Sequence, residues 1–378
     1  MLSLAFLEKL QNQMDKSSVL CYNKGRCSAQ NHQISKAERT IFTMKPTVQM
    51  INWKGMPCLQ LSSGGYTAWI AHEIGSNVIR LQHTEKGIEF FRFRKDNTPE
   101  AIRQSAEVWG LPTLYLPNRF ADGVLKTSDA VYQLPVNEAA PYHNHIHGFL
   151  HKRTHRVMEL CADETAAWAK TSYTYDENDP FFASLPIPFR ADFTFRLTEE
   201  GLFYSVTFTN LSDKQMPMSL ATHTTINSPF VVGAAEENSR ITVPITEKWV
   251  LNERCLPTKE ILPLDDYDKQ YQNGTMCPVL KNIDNDMYTA TAQTWNGKPF
   301  YGMTAIDTAT GKGIGYEVSE NYKFWILWND KGHNGYFCPE PMTAMIDAPN
   351  LELSKEQTGY QELAPNETFT ATQHFFAL

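Results

Sequence analysis

The sequence has no apolar run approaching the roughly 18 residues that a membrane-crossing helix needs, so no transmembrane segment is expected. It has no Cys-x-x-Cys pair either. Its seven cysteines, Cys21, Cys27, Cys58, Cys161, Cys255, Cys277 and Cys338, are odd in number and widely spaced. That argues against a disulfide framework and for free thiols in a reducing compartment. Cys21, Cys27 and His32 could surround a zinc ion, but their spacing is not a standard one. Basic clusters are missing as well; the densest run, His151 to Arg156, is short. With a net charge of −8, nucleic acid and anionic membrane are poor partners. A small neutral or polar ligand suits this balance better. No internal repeat at the 20–50 residue periods typical of about every solenoid or propeller and no low-complexity tract is present. The apolar N-terminal stretch Leu2 to Leu10 is broken by Glu8 and Lys9 and lacks a small-residue cleavage site. It reads as a short amphipathic helix rather than a signal peptide, and the expected location is cytoplasmic.

What is present is a β pattern. The chain has 378 residues, 42% hydrophobic and 12% aromatic, ample for a large buried core. Residues 1–45 are polar and without alternation, and read as a mobile N-terminal extension. Residues 46–378 form one expected domain. There Phe193, Phe195 and Leu197 alternate with polar neighbours, as do Leu202, Tyr204, Val206 and Phe208. Tyr322, Phe324, Ile326 and Trp328 repeat the pattern, and so do Phe369, Ala371 and Gln373. Period-2 alternation places one set of side chains on each face of a sheet. Gly64-Gly65, Glu199-Glu200-Gly201 and Asn296-Gly297 mark turns between strands. Helix signals are few: Thr98-Pro99-Glu100 predicts a capped helix ended by Gly110, and Asp179-Pro180 allows one helical turn. The expected class is all-β, a large antiparallel β-sandwich with few short helices.

Four islands could carry chemistry. His143, His145 and His147 alternate, so on a strand they would share one face and could hold a metal ion; the plainer reading has one working histidine, with Gly148 permitting close backbone approach to a ligand. His223 follows a strand and a turn. Glu340 lies between Pro339 and Pro341, which confine its backbone; taken alone, this is a loop glutamate among turn-formers. Arg119 in Pro117-Asn118-Arg119 could donate a forked pair of hydrogen bonds to hydroxyls.

Taken in order, these islands resemble the aldose 1-epimerase family over roughly residues 50–378. Asn118-Arg119 with Asp122-Gly123 is similar to the family's Asn-Arg-Ile segment, whose Arg holds substrate hydroxyls. Asn144-His145-Ile146-His147-Gly148 is similar to its Asn-x-x-His-Gly segment, whose His binds the sugar near the ring oxygen. Thr222-His223 resembles the segment bearing the general acid, and Cys338-Pro339-Glu340-Pro341 with Asp347-Ala348-Pro349-Asn350 the segment bearing the general base. Leu363-Ala364-Pro365-Asn366 resembles the turn before the last strand. The resemblance implies the large antiparallel supersandwich, with Glu340 and His223 catalytic and Arg119, His147 and Asn144 binding substrate. Departures touch the substrate. Thr224-Thr225-Ile226-Asn227 replaces the Tyr and Phe that often follow Thr-His, and His-Gly-Phe at 147–149 resembles the branch containing hexose-6-phosphate epimerases. An Asp that binds a sugar hydroxyl has no secure counterpart; Asp265 and Asp266 are candidates.

The activity so implied interconverts α and β anomers of an aldohexose by acid/base ring opening. It needs an ionised Glu340, a protonated His223, and neither metal nor cofactor. A hexose-6-phosphate 1-epimerase, with Lys152, Arg153 and Arg156 for the phosphate, and a non-catalytic sugar-binding relative are the alternatives. The expected partner is a sugar, on a monomer or homodimer.

Overall fold

The structure is a computed structural model that describes residues 45–378. The expectations for residues 1–44, including the N-terminal helix and the Cys21, Cys27 and His32 group, lie outside the described residues.

Alternation becomes burial as expected. In the strand Phe189–Thr198, Phe193, Phe195 and Leu197 are buried while Asp192, Thr194 and Arg196 reach the surface. Leu202, Tyr204, Val206 and Phe208 do the same in Gly201–Asn210. Each such side chain taken fully out of water stabilises the fold by about 1.5–3 kcal/mol. Gly201–Asn210 pairs with the C-terminal strand Thr368–Ala377, Phe208 opposite Phe369 and Val206 opposite Ala371. This ladder joins the end of the chain to the centre of a nine-stranded antiparallel sheet.

A second, eight-stranded sheet carries Ile245–Leu251, Asp286–Ala290, Phe324–Trp328 and Tyr336–Met342 side by side. The main core draws buried residues from both sheets, among them Phe193, Phe208 and Phe375 from the first and Tyr288, Trp325 and Leu327 from the second. The opposite face of the second sheet bears a smaller cluster with Trp249, Met287, Phe324, Ile326 and Met342. A five-stranded sheet from Thr47 to Glu89 completes the frame. This is the expected all-β sandwich. No helix of the described residues is long and apolar enough to cross a membrane.

Helices are short. Thr98 caps Pro99–Gln104 by accepting from the Ala101 N–H at 3.2 Å. That helix stops at Ser105 rather than running to Gly110, because Ala106–Val108 tightens into a 3₁₀ turn. The stretch after Asp179-Pro180 is a series of turns and not a helix.

Candidate active site

Glu340 sits in a strand, where the sequence suggested a loop. Tyr336–Met342 pairs with Phe324–Trp328, and Glu340 lies opposite Ile326. Two prolines are tolerated there because the other edge of this strand is only partly paired. Ala221 meets Met342 and Ile226 meets Phe337, while the segment between, Thr222 to Thr225, arcs away. The missing N–H groups of Pro339 and Pro341 face that gap and cost no ladder bond. The same gap holds His223. Its backbone N–H donates to the Pro112 carbonyl at 3.1 Å, and the Thr225 N–H to that of Gly110 at 2.9 Å. Thr224 donates to the Tyr316 hydroxyl at 3.0 Å, and Thr222 accepts from Gln373 at 2.6 Å. The threonines around His223 therefore anchor its loop to the core.

His223 Nε2 lies 3.2 Å from Glu340 Oε1, and both side chains are buried. Burial pushes the Glu340 carboxyl well above the usual carboxylate range, partly opposed by the Arg119 charge. Burial pulls His223 down to about 4. Both directions favour a neutral pair with its one proton on Glu340. This is the reverse of the ionised glutamate and protonated histidine that the sequence reading calls for, so the proton must pass across the 3.2 Å contact before Glu340 can act as base.

His147 arrives from the other side. Its φ of +65° and that of Gly148, +59°, bend the chain out of the strand Asn144–Ile146. The His147 N–H donates to the Asn118 carbonyl at 2.9 Å, and its ring centroid lies 5.4 Å from that of His223. A side chain at position 148 would put its Cβ 2.0 Å from the Tyr115 carbonyl oxygen, so glycine is what lets the histidine reach this position. This bend also separates the three alternating histidines. His143 is exposed beside Asp122 at 3.1 Å, and His145 is buried, hydrogen-bonded to the Pro135 carbonyl at 2.7 Å. Only His147 faces the Glu340–His223 pair, so the three do not form a common metal-binding face.

Arg119 is present but its fork is occupied. Nε and Nη2 lie 3.0 Å from the Glu138 carboxylate, leaving Nη1 toward Asn118 at 3.3 Å and Asn285 at 3.5 Å. The forked donation to a sugar expected from the sequence is thus made to Glu138, and Nη1 is the edge left for a ligand. Asn144 is fully buried behind this pair. It donates to Glu138 and to the Arg254 carbonyl, each at 3.0 Å, and accepts from Arg254 at 3.1 Å. It positions Glu138 and does not itself face the pair. Asp347 braces the same strand, its carboxylate accepting from the Ala121 N–H at 3.1 Å and its N–H donating to the Arg119 carbonyl at 3.0 Å. We expect Glu138→Ala to cost about 3 kcal/mol, because it leaves a buried guanidinium unpaired. Urea denaturation measures this, and a midpoint unchanged from wild type would disprove it.

Asp265 is elsewhere. It is exposed, and its carboxylate accepts from the N–H groups of Tyr267 and Asp268 at 2.8 and 2.9 Å. The neighbouring Asp268 pairs with Lys248 at 3.3 Å. Lys248 opposes Tyr288, whereas the adjacent Trp249 opposes Met287, which continues through Ile326 to Glu340. Lys248 therefore points to the other face of the sheet, and Asp265 belongs with it as a turn cap. Asp266 is also exposed and pairs with Lys269 at 3.4 Å. Of the two tryptophans on the strand Phe324–Trp328, Trp325 is in the main core, and Trp328 shares the face of Glu340 with its ring 5.8 Å from His223. Two of the three cations proposed for a phosphate are paired with carboxylates elsewhere. Arg153 makes a fork to Asp179 at 2.6 and 2.9 Å, beside a surface hollow of about 350 Å³ on the first sheet, and Lys152 lies 3.7 Å from Glu107. Arg156 is exposed on an edge strand.

Sequence reasoning missed Glu138 and Asn285. Both reach Arg119 from loops, Glu138 from 19 residues and Asn285 from 166 residues along the chain, and neither has a local signal.

The aldose 1-epimerase family model matches residues 57–375. A galactose mutarotase-like protein from Clostridium acetobutylicum is similar at 30% identity and TM-score 0.86, over 88% of this chain and 99% of that one. A galactose 1-epimerase from Lactobacillus acidophilus shares the fold at 14% identity and TM-score 0.65, over 88% and 99%. An aldose epimerase homologue from C. elegans does so at 15% and 0.62, again over 88% and 99%. With a match this long, on a chain that brings Arg119, His147, His223 and Glu340 to one place, the protein belongs to the aldose 1-epimerase family.

Proposed function

We propose that this protein catalyses the interconversion of α and β anomers of an aldose, with Glu340 as base and His223 as acid. The observation that carries this reading is the buried 3.2 Å contact between His223 Nε2 and Glu340 Oε1, flanked by His147 and Arg119. Ring opening breaks the bond between C1 and the ring oxygen. The base takes the proton of the C1 hydroxyl while the acid delivers one to the ring oxygen. The aldehyde turns about C1–C2, closes on its other face, and the two proton transfers reverse. Each positioned group contributes roughly 10²–10⁴ in rate.

A pair holding one proton suits this cycle, since the same proton count serves the closed ring in either anomer. Arg119 Nη1 and His147 would orient hydroxyls and stabilise charge at the ring oxygen. Trp328 offers its ring to an apolar sugar face. A non-catalytic relative would lack one partner of the pair, and here both are present and in contact.

The test is a panel of anomer-exchange measurements, by polarimetry or exchange NMR, on freshly dissolved free and phosphorylated aldoses. Equilibration of at least one aldose well above the buffer rate is expected. No acceleration with any of them would overturn the reading.

A further inference from the structure

Residues Tyr336, Cys338 and Glu340 alternate along one strand and present one face. At the Tyr336 end of that face lies Arg92, which is neither at the Glu340–His223 pair nor among the family motifs. Its guanidinium is held between two rings, with its carbon 3.8 Å from the centroid of Trp109 and 4.1 Å from that of Tyr336. The backbone ties it to the catalytic loop, since the Arg92 N–H donates to the Thr225 carbonyl at 2.9 Å. An aromatic path joins the two places: Tyr336 lies 6.2 Å from Trp328, which lies 5.8 Å from His223.

The hydrogen bonding of Arg92 is incomplete. Nη1 donates to the Val108 carbonyl at 3.1 Å. Nε and Nη2 have no partner among the described residues, and they are not sealed from solvent. No carboxylate among the described residues is within ion-pair distance; the nearby Asp330 accepts from the Tyr336 hydroxyl at 3.2 Å instead. The nearby Arg94 adds a second positive charge. Arg119, Arg153 and Arg254 are each neutralised by a carboxylate. Arg92 is different: flat, held still by stacking, stripped of water on both faces, and with an open donor edge. Such a group favours an anion over a hydroxyl, because a planar fork meets two oxygens of a carboxylate or phosphate at once and the bonds are charge-assisted.

We propose that Arg92 is a specificity-determining residue that binds an anionic substituent of the sugar, at the end of the molecule remote from the bond that opens. This rests on the ring-opening reading of the Glu340–His223 pair and narrows its substrate to an aldose bearing a carboxylate or a phosphate.

The test uses the full chain and three probes: glucose, glucose 6-phosphate and glucuronate. Calorimetric affinity and anomer-exchange kcat/KM are measured for each. At least one anionic probe is expected to exceed glucose by roughly tenfold to a hundredfold in both, and the better of the two tells phosphate from carboxylate. The excess shrinks as salt is added. In Arg92→Gln the ratio of anionic to neutral sugar falls toward one. Arg92→Lys keeps a charge without the flat fork, holds part of the ratio, and serves if the Gln variant does not fold. Glucose matching both anions in wild type, or a ratio unmoved by either variant, overturns the proposal while leaving ring opening intact. Anionic probes that bind through Arg92 but undergo no faster exchange would instead overturn the ring-opening reading alone.

Discussion

Glu340→Gln is expected to slow catalysed anomer exchange by roughly 10²–10⁴ while leaving the fold unchanged. Gln has the same shape and can still meet His223, but it cannot accept a proton. Glu340 is the only carboxylate among the described residues within ion-pair distance of His223. Burial raises its pKa, opposed by Arg119, and a raised pKa makes its carboxylate the stronger base. The variant should be about as stable as wild type, since burial already favours the neutral carboxyl and the amide that replaces it is neutral and of similar volume. Circular dichroism and urea denaturation establish the fold, and exchange NMR gives the rate. A rate within tenfold of wild type would remove Glu340 from the role of base.

The pH profile follows from the same pair. The working state holds one proton across Glu340 and His223. A second proton enters as pH falls through about 4, where burial has placed His223, and then no base remains. The acid limb of kcat/KM is therefore expected near pH 4 and not near 6.5, the ordinary value for an imidazole. The alkaline limb marks loss of the shared proton and lies above the ordinary carboxylate range, because burial raises Glu340.

Much of the frame was legible in the sequence because strand alternation is a local property. Phe193 to Leu197 and Leu202 to Phe208 needed only their own pattern to be placed. Glu340 was legible as a motif but not as a strand. Pro339 and Pro341 argue locally for a loop, and what permits them is a gap made by Thr222 to Thr225, more than a hundred residues away in sequence. The histidine run failed for a related reason. Alternation implies a common face only while the backbone stays extended, and the left-handed conformations of His143 and His147 break that condition. Glu138 and Arg92 had no signal. Each acts through a partner that only the tertiary fold supplies, Arg119 for one and the rings of Trp109 and Tyr336 for the other. Asp265 shows the reverse error, an acidic side chain near a turn whose work is to cap that turn.

His223→Asn is expected to match Glu340→Gln, with a loss of roughly 10²–10⁴ in exchange rate, and the double variant is expected to be little worse than either. Asn retains a polar group at the end of the Thr222–Thr225 arc, whose anchors to Pro112, Gly110 and Tyr316 do not involve the imidazole. The fold should survive, and urea denaturation checks this. What is lost is a group that can give up and regain a proton at the ring oxygen. Ring opening requires both transfers, so once one partner is gone the other has no coupled step to serve. Residues that act as a unit are strongly non-additive for this reason. If Glu340 and His223 hold one proton between them across 3.2 Å, the second substitution removes almost nothing that the first has left. Single losses that multiply in the double variant would mean two independent contributions, and the shared-proton mechanism would then be wrong even if each residue still mattered.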